Sequence, residues 1–450
     1  MEDINSTIIA LSTPAGYGAI GVIRLSGSKV REIIKPFFAD KFSFKHKQVK
    51  FAKLFDNQEH IDDVLITYFA SPNSYTGEDV IEISCHGSPY IIEKIIDLCL
   101  RNGAILAEPG EFTKRAFLND KMDLSQAEGV DAMIHAKTKH AHDTAKKLLE
   151  GKLGTRIKEI KQSLIDTITL LELELDFSDQ EIDFTPHSEI LDKIKLINID
   201  IQNLIQSYHY GKLIKNGIKT ALIGSPNSGK SSLMNAFLQE ERMIVSDIPG
   251  TTRDSIEESI RRGGYQFRLI DTAGIRDSVD TIENLGIERS KKAIEEADLK
   301  LFIIDPSNTN YSEFEPFIDN NTIIVVNKID ISNEKQIKQI QDNYKNFSQI
   351  QISAKQHINI HELADLMVNI IKNKEPKNSD LFITIKRHFN SLENLSQELL
   401  NTITSIKNNN PSELIVTDMR FALNHLDAIL GKTTADDILN NIFANFCIGK

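Results

Sequence analysis

The segment Gly224-Ser225-Pro226-Asn227-Ser228-Gly229-Lys230-Ser231 constrains this chain more than any other feature. It follows a short β-type run, Ile218–Ile223, and leads into a helical pattern, so it reads as a phosphate-binding loop between a strand and a helix. The backbone N–H groups of such a loop, and the helix N-terminus behind it, converge on phosphate oxygens. In that geometry Lys230 reaches the β- and γ-phosphates and the Ser231 hydroxyl ligates magnesium, with Ser228, Gly229 and Ser232 alongside.

The motifs downstream narrow the nucleotide. Gly250-Thr251-Thr252-Arg253-Asp254 sits in a segment free to act as a first switch, where a threonine, Thr252, completes the magnesium shell, and Ser246, Asp247, Ile248 and Pro249 just ahead of it are further nucleotide-site candidates. Asp271-Thr272-Ala273-Gly274 ends a β run; Asp271 holds a magnesium-bound water and the Gly274 N–H senses the γ-phosphate. Asn327-Lys328-Ile329-Asp330 ends another, where the Asp330 carboxylate pairs with N–H donors that guanine has and adenine lacks. Ser353-Ala354-Lys355 supports the base from a fifth loop. The five motifs in register predict a Ras-like G domain that hydrolyses GTP.

One position departs from the Ras pattern: Ile275 stands where a glutamine would orient the attacking water. An apolar side chain cannot do that work. By chemistry alone Asp277, Asp280 or Glu283, just downstream, can serve instead, and Arg276 beside them is a further catalytic candidate.

Around this core the chain changes character. A length of 450 residues predicts two or three domains. Residues 1–120 mix β runs (Ile20–Leu25, Val64–Phe69, Val80–Ser84) with one or two helices, an α+β pattern. From about Ser125 helical periodicity takes over, interrupted by the acidic segment Asp176–Asp183, and Pro186 followed by Ser188 suits the start of a helix to about Leu213. Residues 218–356 alternate strand and helix, with β runs at Ile218–Ile223, Gln266–Asp271, Leu299–Asp305, Thr322–Asn327 and Gln349–Ser353, the mark of a doubly wound parallel sheet. After about Lys374 helical pattern resumes. An α/β domain (218–375) inserted between two helical segments (121–217 and 376–450) is the simplest architecture.

Bulk properties exclude some classes. No apolar run approaches the roughly 20 residues that span a bilayer, and the start lacks a signal-peptide pattern, so a cytoplasmic protein is expected. Cys85, Cys99 and Cys447 are too few and scattered for a disulfide framework or zinc site. The terminal Cys447-Ile448-Gly449-Lys450 matches a prenylation box only formally. A net charge of −12 argues against non-specific coating of nucleic acid, though not against a local basic groove.

Blocks outside the G domain carry a closer resemblance. Gly21-Val22-Ile23-Arg24-Leu25-Ser26-Gly27, Tyr75-Thr76-Gly77-Glu78-Asp79-Val80-Ile81-Glu82 with His86-Gly87, Pro109-Gly110-Glu111-Phe112-Thr113-Lys114-Arg115-Ala116-Phe117, Leu118–Leu124 and Phe446–Lys450 are similar to those of the MnmE (TrmE) family of tRNA modification GTPases. The resemblance implies an α+β N-terminal folate-binding domain, a helical domain from two chain segments and the inserted Ras-like P-loop G domain. It implies a homodimer formed through the N-terminal domain. A flavin-dependent partner, in a heterotetramer, would join it to add a carboxymethylaminomethyl-type group at C5 of the wobble uridine of certain tRNAs. The one-carbon unit would come from a 5-formyl or methylene tetrahydrofolate.

Residue by residue, the resemblance puts Arg24, Glu82, Lys121 and Lys450 at folate-contacting positions, and proposes Cys447, whose thiolate a neighbouring Lys450 would favour, for the modification chemistry. Asn227, with Ser246, Ile248 and Thr251, falls on a potassium site that would replace an arginine finger; Glu283 falls on the water-orienting glutamate. His86, beside Gly87, reads more readily as structural than as a base. A regulatory switch that binds RNA or ribosomes without modification chemistry is the alternative.

Overall fold

The computed structural model describes residues 6–38, 43–176, 186–240, 257–271, 291–308, 311–377 and 380–449. The chain divides into two compact units, residues 1–134, 147–185 and 404–450 in one and residues 135–146 and 186–403 in the other. Among the described residues no helix is long and apolar enough to cross a membrane.

The first unit is built on a six-stranded sheet ordered β3-β4-β5-β2-β1-β6. Its strands are β1 Ile8–Leu11, β2 Ile20–Ser26, β3 Val49–Asp56, β4 Glu59–Phe69, β5 Val80–His86 and β6 Ile105–Leu106. All neighbours pair antiparallel except β1 with β6. Alternation fixes the two faces. Ile23, Leu25, Val64, Ile66, Ile81 and Ile83 point into a core shared with helices α1 Val30–Ile34 and α2 Pro89–Arg101. On the opposite face Arg24 and Glu82 are direct cross-strand partners. There α3 Glu111–Leu118 brings Phe112 against Ile8 and Ala10.

Among the described residues three α-helices, not one or two, thus precede residue 120. The short α1 lacks the length over which helical periodicity is read, and β1, β3 and β6 also went unread. Beyond residue 120 come α4 Leu124–His135, α5 Lys139–Leu149 and α6 Lys152–Asp176. α12 Ser412–Leu430 packs on α6 in the same unit, where Lys161 Nζ meets Asp427 at 2.6 Å. The acidic segment lies, from residue 177, outside the described residues.

The second unit carries the doubly wound sheet, ordered β12-β11-β10-β7-β9-β8. β7 Ile218–Ile223, β9 Tyr265–Asp271, β10 Leu299–Ile304, β11 Thr322–Val326 and β12 Ser348–Gln351 run parallel; β8 Glu257–Arg262 closes one edge antiparallel to β9. β10 and β11 are buried on both faces, as expected of strands sandwiched between helices. One face packs on α8 Lys230–Glu240 and α10 Ile360–Lys372, the other on residue 294 and α9 Glu334–Asn343. The expected strands are all present. β8 was not anticipated, because its sequence, EESIRR, is mostly charged, as suits an edge strand.

α7 His187–Asn216 starts directly after Pro186 and runs three residues beyond the expected Leu213. It lies beside α11 Lys386–Lys407 in the same unit: Ser396 Oγ donates to Asn198 Oδ1 and accepts from Gln202 Nε2, both at 2.7 Å. Where the chain returns ahead of α11, the Ile383 N–H donates to Ser207 Oγ at 3.0 Å. Gly211, one turn on, is what allows that approach, since a Cβ there would lie 2.1 Å from the Ile383 carbonyl oxygen. Gly211→Ala therefore forces two backbones apart and is expected to cost about 1–3 kcal/mol, read as a lower unfolding temperature of this unit in calorimetry.

Candidate functional site

The phosphate loop hangs between the C-terminal end of β7 and the start of α8, the end of a parallel sheet where α/β proteins bind ligands. Two of its residues take left-handed backbone, Asn227 with φ 63° and Gly229 with φ 102°. Asparagine tolerates that region. At Gly229 a Cβ would sit 2.1 Å from Asn327 Nδ2, so only glycine lets the loop close on the base motif. Lys230 is buried and donates from Nζ to the Gly224 and Ser225 carbonyls at 2.7 and 2.9 Å, which aims the ammonium into the loop. The Ser228 hydroxyl is fully buried with no hydrogen-bond partner among the described residues.

Ser231 Oγ stands 3.5 Å from Asp271 Oδ2, so the first residues of α8 and the end of β9 present two oxygen donors together. This pair fits a hard divalent cation such as magnesium. Asn327 is the hub of the base side. Its Nδ2 donates to the Ser228 carbonyl at 2.9 Å and its Oδ1 accepts from Ala354 N at 3.0 Å, with the side chain almost fully buried. Ser353 Oγ accepts from Gln356 N at 3.2 Å and donates to Asp330 Oδ1 at 2.7 Å. The Asp330 carboxylate is thus oriented while remaining exposed, with acceptor capacity to spare. Lys328, at φ 61°, pairs with Asp305 Oδ2 at 2.7 Å. Asp305, at the end of an expected β run, and Asn308, which donates to Ser225 Oγ at 3.2 Å, belong to no motif and carry no sequence signal of a place beside the site.

Asn227, Ser228, Gly229, Lys230, Ser231, Ser232, Asp271, Asn327, Lys328, Ile329, Asp330, Ser353, Ala354 and Lys355 are all within the described residues. Ser246, Asp247, Ile248, Pro249, Gly250, Thr251, Thr252, Thr272, Ala273, Gly274, Arg276 and Glu283 lie outside them, as does Lys450.

A second polar cluster sits on the outer face of the first unit's sheet. Arg24 donates to Glu82 Oε1 from Nε at 3.0 Å and from Nη2 at 2.8 Å. The guanidinium lies 5.4 Å from the Tyr75 ring centroid and 5.6 Å from that of Phe112. Such rings hold a cation by its attraction to their faces. The chain's end joins this cluster: the Gly449 carbonyl accepts from Ser12 Oγ at 3.2 Å and Arg24 Nη1 at 3.4 Å. Lys121 donates to the Pro72 carbonyl at 2.9 Å, beside the loop that carries Tyr75. Tyr75 and Phe112 were within the motif blocks, yet ring placement across a sheet depends on pairing that spacing does not reveal.

His86 Nδ1 is 2.6 Å from Asp62 Oδ1, and Asp62 also accepts from the His86 N–H at 2.8 Å. The pair ties the ends of β4 and β5, in keeping with the structural reading. Burial pushes the Cys85 thiol up to about 11, with Asp62 adding to it, and the Cys99 thiol up to about 12. Neither is a nucleophile at neutral pH. Cys447 is the exposed cysteine.

A phosphate loop ahead of a helix, a serine beside a strand-end carboxylate, and a base loop ordered by a buried asparagine define a P-loop GTPase. Residues 7–121 match the family described as the GTP-binding protein TrmE N-terminus, and residues 124–447 the MnmE helical domain. The curated protein named tRNA modification GTPase MnmE from Flavobacterium johnsoniae is 40% identical over 464 residues, covering 99% of each chain. The protein of that name from Thermoanaerobacter sp. is 41% identical over 456 residues, again covering 99% of each. That from Aquifex aeolicus is 38% identical, covering 98% of this chain and 99% of its own. The chain belongs to the MnmE family of tRNA modification GTPases.

The Asp305 pair gives the nucleotide site a pH signature. Burial alone would raise its carboxyl, but Lys328 and the hydroxyl and N–H of Ser307 outweigh it and hold the group below the ordinary carboxylate value. A folded pKa below the unfolded one, near 4, gives stability that is complete above that value. It is lost as pH falls through the lower folded value. Asp305→Asn should lower stability by about 1–2 kcal/mol near neutrality. Unfolding temperatures of variant and wild type should converge as pH falls below about 4.

Proposed function

We propose that the chain hydrolyses GTP with potassium stimulation as part of wobble-uridine modification of certain tRNAs. It works with a flavin-dependent partner, as a homodimer within a heterotetramer. The product is a carboxymethylaminomethyl-type group at C5, whose one-carbon unit comes from a 5-formyl or methylene tetrahydrofolate. The observation that carries the reading is that one chain combines the phosphate loop with the Arg24–Glu82 cluster, two sites of different chemistry.

On the nucleotide side, Ser231 and Thr252 would hold magnesium, which neutralises charge on the β- and γ-phosphates when bound. Asn227, with Ser246, Ile248 and Thr251, would hold potassium in the role of a fixed positive charge. Asn227 supports this by exposing an oxygen-bearing side chain within the phosphate loop. Glu283 would orient the attacking water in place of a glutamine, and Arg276 would add positive charge beside it. Hydrolysis should be slow in sodium and clearly faster in potassium at equal ionic strength; equal rates would defeat potassium activation.

On the folate side, only one oxygen of Glu82 is taken by Arg24, which leaves Oε2 to accept from pterin N–H groups. Lys121 and Lys450 would meet the glutamyl carboxylates, and Cys447, exposed two residues ahead of Gly449, would serve the transfer chemistry. Homodimerisation is supported by the uncovered part of the sheet's outer face, where Phe51 is 63% and Leu65 46% exposed on paired strands. Calorimetric titration of the full chain with 5-formyl-tetrahydrofolate should give binding that Glu82→Ala abolishes. In cells lacking the protein, nucleoside analysis should find the modified wobble uridine missing and restored by wild type. Unchanged tRNA would leave a switch protein without modification chemistry as the function.

A further inference from the structure

Arg115 is a buried guanidinium with no role in either site as described so far. Its side chain is 4% exposed, yet it touches two carboxylates. Nε and Nη2 donate to Glu111 Oε1 at 3.2 and 2.7 Å, and Nη1 to both oxygens of Glu78 at 3.2 Å. Nη1 also reaches the Ser6 carbonyl at 2.7 Å and Nη2 the Ser6 hydroxyl at 3.2 Å. A charge this deeply buried is tolerated only when its donors are used, and these are.

What the network holds is the approach to Arg24. Glu78 ends the loop that carries Tyr75, and Glu111 opens the helix that carries Phe112; these are the two rings against the Arg24 guanidinium. The loop is pinned further by Ser26, whose hydroxyl lies 2.7 Å from Thr76 Oγ1 and 2.6 Å from Glu78 Oε2. Asn119 Nδ2 donates to the Thr76 carbonyl at 2.8 Å, and Tyr75 OH lies 2.9 Å from Thr113 Oγ1 on α3.

We infer that Arg115 is a positioning residue for the folate pocket: by bridging Glu78 and Glu111 it locks the Tyr75 loop to α3, so that both rings bracket Arg24 before a ligand arrives. Lysine cannot replace it, because one ammonium lacks the planar fork that joins two carboxylates and Ser6 at once. The inference rests on the folate reading only for what the pocket binds; ring placement is independent of it.

The chain has no tryptophan, so Tyr75→Trp supplies a single indole in the loop. In that background Arg115→Lys should raise acrylamide quenching of the indole about twofold and, in the wild-type background, weaken 5-formyl-tetrahydrofolate binding about tenfold, the equivalent of about 1.4 kcal/mol. Arg101→Lys, at the exposed pair with Asp56, should change neither. A folded Arg115→Lys protein, with its unfolding transition intact, whose quenching and affinity match the parent overturns the inference. Should Arg115→Lys not fold, Glu78→Gln carries both measurements with the same expected and overturning results. Absence of folate binding in wild type would overturn the folate reading alone, since quenching still decides the role of Arg115.

Discussion

The nucleotide site depends on one buried carboxamide. Asn327 directly follows β11, the strand beside β10, which itself neighbours β7 and the phosphate loop. From there its two ends reach across to the Ser228 carbonyl on one side and the Ala354 N–H on the other. The side chain has one acceptor and two donors, so it can couple both loops only when the parallel register holds. The phosphate loop and the loop after β12 are thereby fixed relative to each other, and Ser228, whose carbonyl is held in that junction, keeps a buried hydroxyl without a partner among the described residues. Losing this bridge would leave buried polar groups unmatched, which costs more than the net worth of a hydrogen bond.

The first unit meets the same problem with charge. Arg24 and Glu82 face each other across antiparallel strands, where a matched pair stabilises the register, and the rings of Tyr75 and Phe112 limit how far the guanidinium can swing. Glu82 keeps one oxygen out of the pair. A site that satisfies its own charges only in part is rigid yet still receptive to donors.

Much of the G domain was legible because its information is local. A glycine-rich loop between strand and helix, and motifs at strand ends, carry their geometry within a few residues, so spacing alone singles out Lys230, Asp271, Asn327 and Asp330 as candidates. β8 was not, since a charged edge strand has no apolar alternation to read. Arg24 and Glu82 were identified only through resemblance; alone each looks like a surface charge. Their partnership is a matter of strand register, and the supporting Tyr75, Phe112 and Arg115 converge from two other stretches, the loop before β5 and α3. Non-local pairing is what periodicity cannot encode. Asp305 escaped for the same reason, as its partner Lys328 belongs to a different strand end.

The chain's end illustrates how far such convergence reaches. α13 Asp436–Phe443 buries Leu439 and Phe443, with Phe446 just beyond it, against Leu124 and Ala127. This hydrophobic seat delivers the following residues to the sheet: the Cys447 carbonyl accepts from the Gly110 N–H at 3.4 Å, and the Gly449 carbonyl from Ser12 and Arg24. Gly110 is the N-cap of α3, the helix that carries Phe112 and Arg115. The tail and the Arg115 network therefore act on the same helix from opposite ends of the sequence. A pocket assembled this way is complete only when the last residues have docked, so its geometry reports on the folding of the whole unit rather than of the sheet alone.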